Sequence, residues 1–125
     1  KTYQFSMKAR SEGTVNSWLE VYFDKTLIED DAADYTEGMD LYIKSFGGDV
    51  EGCGVDAFDG SVFDIIKDGC ALPDGSQFDA NGNITFSASD LTANGTIILG
   101  IKAGNWDGNF GTGLFIDDVM LKEVK

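Results

Sequence analysis

A chain of 125 residues is long enough for one domain with a buried core and too short for two, so we expect a single domain over residues 1–125. Its 22 acidic and 9 basic side chains give a formal net charge of −13, and it contains no histidine. This charge repels phosphate backbones and anionic membrane surfaces, which argues against nucleic acid as a partner. No apolar run approaches the roughly 18 residues that span a bilayer, which argues against membrane insertion.

Alternation of apolar and polar residues predicts a chain made mostly of strands. In chain order we expect strands over 1–9, 17–23, 39–46, 83–87, 96–103 and 114–124. The acidic stretch 24–37 is typical of a solvated loop, with a short helix over 27–35 as the alternative. The stretch 51–79 is irregular, with a short apolar piece at 62–66. Short strands separated by turns predict an all-β fold, an antiparallel β-sandwich.

Three aromatic residues occupy the polar positions of two predicted strands. Trp18 and Tyr22 lie on one face of the second strand, and Tyr42 extends that face if its strand pairs nearby. An aromatic ring packs on the apolar C–H face of a pyranose, so these residues are candidates for sugar binding. The alternative is that they form part of the core.

A fourth aromatic candidate lies in a loop of small and polar residues. Trp106 stands in the segment 104–110, where a large side chain has little local reason to be buried. Asn105, Asp107 and Asn109 would supply hydrogen bonds to sugar hydroxyls beside its ring. The alternative is that Trp106 closes one end of the sandwich.

The absence of histidine removes the usual general base and the nucleophile arrangements that depend on it. A pair of carboxylates can still hydrolyse a glycoside. With 22 acidic residues, however, some pair meets the required spacing by chance, so the criterion carries no information. We therefore expect a protein that is not an enzyme.

The two cysteines, Cys53 and Cys70, form no CxxC pair, which argues against zinc and thioredoxin-type chemistry. We expect them to form a disulfide; two buried free thiols are the alternative. An even cysteine count and an acidic surface suit an oxidising compartment, so the predicted location is extracellular or at the cell surface.

The residues 79–83 repeat the oxygen spacing of the first positions of a calcium-binding EF-hand loop. The sixth position is Ile84, where that loop requires glycine, and no helix-forming sequence flanks the segment. A hairpin turn is therefore the preferred interpretation.

Three segments carry a resemblance to a known family. The run 113–121, with Phe115-Ile116-Asp117-Asp118-Val119, resembles the closing strand of jelly-roll carbohydrate-binding modules and related galactose-binding-like domains. The segment 3–9 resembles an early strand of those families, and 95–102 resembles the strand before the last. Those modules usually begin with one or two more strands, so we expect this chain to lack the family's opening strand or strands.

The resemblance implies a jelly-roll fold and a non-catalytic module that binds a poly- or oligosaccharide. It also implies a structural Ca²⁺ ion held by Asp118 first and Asp117 second, and it fits attachment to a glycoside hydrolase or a surface protein. Because related sandwiches also serve in adhesion, a structural or adhesive module with no sugar ligand is the alternative.

Overall fold

The computed structural model describes residues 1–11, 17–26, 40–44, 53–54, 57–67, 72–105 and 113–125, with the backbone alone at 44, 53, 54, 67 and 105. The expected loop or helix over 27–35 and the residue Cys70 lie outside this part of the chain. The disulfide therefore stays a prediction. Among the described residues, no helix is long and apolar enough to span a membrane.

The described chain forms eight strands and one α-helix. In order they are β1 (Thr2–Ser11), β2 (Ser17–Asp24), β3 (Leu41–Lys44), β4 (Cys53–Gly54), β5 (Asp59–Ser61), α1 (Val62–Lys67), β6 (Asn83–Thr85), β7 (Ile98–Asn105) and β8 (Leu114–Glu123). In the first sheet, β1 pairs with β8 along one edge and with β5 and β6 along the other. The second sheet has the order β4-β3-β2-β7, and only its β3–β4 pair is parallel. The predicted all-β antiparallel sandwich is confirmed.

The core lies between the inward faces of β1 and β2. Phe5 and Met7 of β1 are almost fully buried, as are Leu19 and Val21 of β2. The rings of Phe5 and Phe23 meet edge to face with centroids 5.9 Å apart, which joins the two sheets. The alternation of β1 and β2 therefore places one set of side chains in a shared core.

The irregular stretch 51–79 contains a helix, which a search for alternating apolar and polar residues cannot detect. Its apolar piece forms α1, a helix of six residues that buries Val62, Phe63 and Ile66. The Phe63 ring lies edge to face with Phe78 at 5.2 Å. A helix this short is marginal alone, so its burial against the sheets is what stabilises it.

The segment 79–83 forms the predicted hairpin turn. The Asp79 backbone N–H donates to the Asn83 carbonyl at 2.9 Å, and the Gly82 N–H donates to the Asp79 carbonyl at 3.0 Å. The Asp79 carboxylate accepts the backbone N–H groups of Asn81 and Asn83. Gly82 has φ +79°, and a Cβ atom there would lie 2.7 Å from both the Phe5 carbonyl oxygen and the Phe63 ring. This turn therefore requires glycine for its conformation and for its packing.

The carboxylate of Asp40 connects β2 to a distant segment. It accepts the backbone N–H of Phe23 at 3.0 Å and that of Gln77 at 2.9 Å, and the side chain is 1% exposed. Burial raises the pKa of Asp40, while these two hydrogen bonds act in the opposite direction. One side chain thus accepts the buried N–H of Phe23 and the partly buried N–H of Gln77.

Candidate functional site

Three neighbouring strands of the second sheet build a face that points away from the first sheet. Glu20 of β2 lies opposite Tyr42 of β3 on one side and opposite Lys102 of β7 on the other. Trp18 and Tyr22 lie two residues to either side of Glu20, so they share its face. We call this set the aromatic face: Trp18, Glu20, Tyr22, Tyr42 and Lys102.

Trp18 is positioned by its neighbours on β7. It lies opposite Gly104, and a Cβ atom built there would be 2.6 Å from the indole Cζ2. The Lys102 ammonium lies 5.4 Å from the centre of the indole ring, a distance at which a cation is attracted to the ring face. The ring therefore leans over a position that only glycine leaves open, and it stays partly exposed.

Glu20 and Tyr22 form the buried part of the aromatic face. The Tyr22 hydroxyl donates to Glu20 Oε2 at 2.5 Å, and the two residues are 4% and 3% exposed. Burial raises the pKa of Glu20, and the Tyr22 hydrogen bond and the positive charge of Lys102 partly oppose that rise. The carboxylate is thus held in one orientation beneath the face.

Tyr42 completes the face as a second partly exposed ring, directly across from Glu20. The face therefore presents two partly exposed aromatic residues and the Lys102 ammonium, a hydrogen-bond donor, above the buried Glu20 carboxylate. This is a combination that suits a neutral polyhydroxylated ligand.

The structure places Trp18, Tyr22 and Tyr42 on one face, as the alternation predicts for paired strands. Glu20 and Lys102 were missed by sequence reasoning. Glu20 could have been found, because it stands between Trp18 and Tyr22 in the same period-two series. Lys102 could not, because its place opposite Glu20 depends on the register of β2 and β7.

The loop candidates are not among the described side chains. Trp106, Asp107 and Asn109 lie outside the described residues, and of Asn105 the backbone alone is described, at the end of β7. A role for this loop in ligand binding stays a prediction.

The Asp117–Asp118 pair lies at an irregularity in β8. The register against β1 shifts between Ser6 and Lys8, and Asp118 has φ +51°, as in a β-bulge. Asp118 Oδ2 lies 2.7 Å from Lys8 Nζ, and Asp117 Oδ1 accepts the Asp118 backbone N–H at 2.8 Å. The pKa of Lys8 is raised, first by the hydrogen bond and charge of Asp118 and then by the charge of Asp117.

This geometry gives little support to the implied calcium site. The cation beside the pair is the Lys8 ammonium. In the described part of the chain, no three acidic or cysteine side chains come together as a metal site, whereas Ca²⁺ takes six to eight oxygen ligands. Structural calcium stays a prediction, and we derive no function from it.

Comparison of the chain with protein-family models, with curated proteins and with solved structures found no match.

Proposed function

We propose that this domain is a non-catalytic glycan-binding module of a secreted or cell-surface protein, and that it binds a poly- or oligosaccharide on the aromatic face. The observation that carries the proposal is the placement of two partly exposed aromatic residues on one face, Trp18 two residues along β2 from Glu20 and Tyr42 across from Glu20 on β3. A pyranose has an apolar face for the rings and hydroxyls for the polar groups.

The electrostatics favour a neutral ligand. The net charge of −13 repels polyanions, and the positive charge of Lys102 lies across from the Glu20 carboxylate, which offsets it. The hydrogen bond from Tyr22 to the buried Glu20 carboxylate fixes the floor of the face, so that the two partly exposed aromatic residues above it need little rearrangement to bind a ligand. In this proposal the aromatic face binds the sugar and catalyses no reaction on it.

The test is a titration of the whole domain with neutral oligosaccharides of glucose, xylose, mannose and galactose, each with calcium and with a chelator. Binding is measured by calorimetry and by tryptophan fluorescence. We expect saturable binding by at least one class. Trp18→Ala should weaken it about two- to tenfold, because contact with one aromatic ring contributes about 0.5–1.5 kcal/mol.

Two further variants separate the site from the rest of the surface. Phe115→Ala removes an exposed aromatic ring from the first sheet and should leave sugar affinity unchanged. Gly104→Ala should displace the indole of Trp18, change its fluorescence and weaken binding. If folded protein binds none of the oligosaccharides, or if Trp18→Ala binds as well as the wild type, the proposal is wrong. A blank would favour the structural or adhesive module.

A further inference from the structure

Among the described strands, β8 lies at an edge of the first sheet, and its apolar side chains are exposed on both of its faces. Ile116, Val119 and Leu121 are 38%, 45% and 39% exposed. Ile116 lies opposite the buried Ala9, and Leu121 lies opposite the buried Phe5, so both point to the core side of the sheet. The core side of the sandwich is therefore open along β8.

The backbone of β8 offers hydrogen bonds at the same positions. The N–H groups of Phe5 and Ser11 donate away from β8, to Gly82 and Phe58. In an antiparallel pair, the backbone groups of alternate residues point to the same neighbour, so the even-numbered residues of β1 are those that hydrogen-bond to β8. They lie opposite Phe115, Asp117, Met120 and Lys122. The N–H and C=O groups of Leu114, Ile116 and Leu121 consequently point to the free edge. Within the described part of the chain, no strand pairs with that edge.

A second copy of this chain fits the edge poorly. Consider two copies of β8 paired antiparallel through their free edges. Because of the bulge, the register that sets core-side residues opposite each other along the whole strand places Ile116 opposite Val119 and Leu114 opposite Leu121. That register places Asp117 of each copy against Asp118 of the other, and four carboxylates then meet between two chains of net charge −13. Like charges opposite each other destabilise a strand pair.

β1, the strand that pairs with β8, shows which side chains suit a neighbour of β8. β1 presents apolar Phe5, Met7 and Ala9 to the core, and its Lys8 lies opposite Asp117 and pairs with Asp118. The Arg10 guanidinium lies 4.6 Å from the centre of the Phe115 ring. An apolar inner face and a basic outer face thus complement β8.

We propose that the free edge of β8 binds an extended segment of a partner protein, which adds a strand to the first sheet. The segment has apolar residues at alternate positions and a lysine or arginine facing Asp117. Its backbone completes the hydrogen bonds of Leu114, Ile116 and Leu121, and its apolar side chains cover the core side of β8. This inference does not depend on glycan binding.

The test uses a capped synthetic peptide with the sequence of residues 2–11, labelled for fluorescence anisotropy, and the whole chain. We expect saturable binding and at least tenfold slower hydrogen exchange at Leu114, Ile116 and Leu121. The same peptide with Lys8→Glu and Arg10→Glu should bind at least tenfold more weakly, because the charge at position 8 then faces Asp117 and the charge at position 10 adds repulsion on the same outer face.

A matched pair of protein variants locates the contact. Leu121→Lys places a charge on the core side of β8, and Met120→Lys places the same charge on the outer side. The first should weaken peptide binding at least tenfold and the second less than threefold, with circular dichroism confirming both folds. The proposal is overturned if the two variants bind alike, if binding leaves these amides unprotected, or if sedimentation shows dimers that Leu121→Lys dissociates, since the occupant is then a second copy.

Discussion

β2 and β8 are both long strands with aromatic and apolar residues on two faces, yet they differ in what covers them. Leu19 and Val21 of β2 are fully buried on the core side, and Glu20 and Tyr22 are almost as buried on the other side. In β8, Phe115, Ile116 and Met120 are each more than a third exposed. Alternation in a sequence therefore identifies the two faces of a strand but does not say how deeply either face is buried.

The reason for the difference is the position of each strand in its sheet. β2 lies between β3 and β7 and shares backbone pairing with both. β8 shares pairing with β1, and its other edge has no partner among the described residues. A central strand gains neighbours on each side, whereas an edge strand leaves side chains and peptide groups open.

The same substitution in both strands gives the largest expected contrast. Leu19→Ala should lower the free energy of unfolding by about 2–5 kcal/mol, because it opens a cavity among fully buried side chains. Leu121→Ala should lower it by only about 1–2 kcal/mol, since this side chain is already 39% exposed and its removal opens no closed cavity. Urea unfolding of the two variants measures both values. Equal losses would mean that the core side of β8 is covered in solution.

Two aspartates that accept backbone N–H groups sharpen the comparison. Asp40→Ala should cost about 1–3 kcal/mol, because it leaves the buried N–H of Phe23 and the partly buried N–H of Gln77 without this acceptor. Asp117→Ala removes a similar acceptor from the exposed β8 and should leave the unfolding midpoint unchanged. Thermal unfolding at constant pH distinguishes the two. A small effect at Asp40 would show that water reaches those donors.

The smallest expected effect is the dependence of stability on pH. The pKa of Glu20 is raised in the folded protein, so its contribution to stability is full below the unfolded value of about 4.3 and is lost as the pH rises through the folded value. The stability of the wild type relative to Glu20→Gln should therefore improve as the pH falls from 7 towards 4.

Asp90 provides a control of opposite sign. Hydrogen bonds from Ser87 lower the pKa of Asp90, so its contribution is present above the unfolded value and is lost as the pH falls through the folded value. The wild type should then lose stability relative to Asp90→Asn at low pH. Denaturant titrations at several pH values test both slopes, and parallel slopes would contradict the assigned directions.

The sandwich and its longest strands could be predicted because they depend on local patterns. β1 and β2 alternate over their whole length, and the faces shared by Trp18 and Tyr22 follow from a period of two. The turn at 79–83 follows from its Asp, Asn and Gly residues.

Features that depend on distant segments could not be predicted. α1 is six residues long and is held by contacts of Phe63 with Phe5 and Phe78. The position of Glu20 opposite Lys102 depends on the register of β2 and β7, and its burial depends on segments distant in the sequence. The open edge of β8 depends on which strand lies beside it, and its sequence resembles that of a covered strand.

Two Asn-Gly turns with the same dipeptide differ in their surroundings, and this bears on where the domain can be modified. At Gly95 a Cβ atom would meet nothing within 4 Å, whereas at Gly82 it would meet the Phe5 carbonyl and the Phe63 ring. A fluorophore or an inserted peptide tag should therefore be placed at Asn94-Gly95, on open surface. The same insertion at Asn81-Gly82 would separate β1 from α1 and disturb the core.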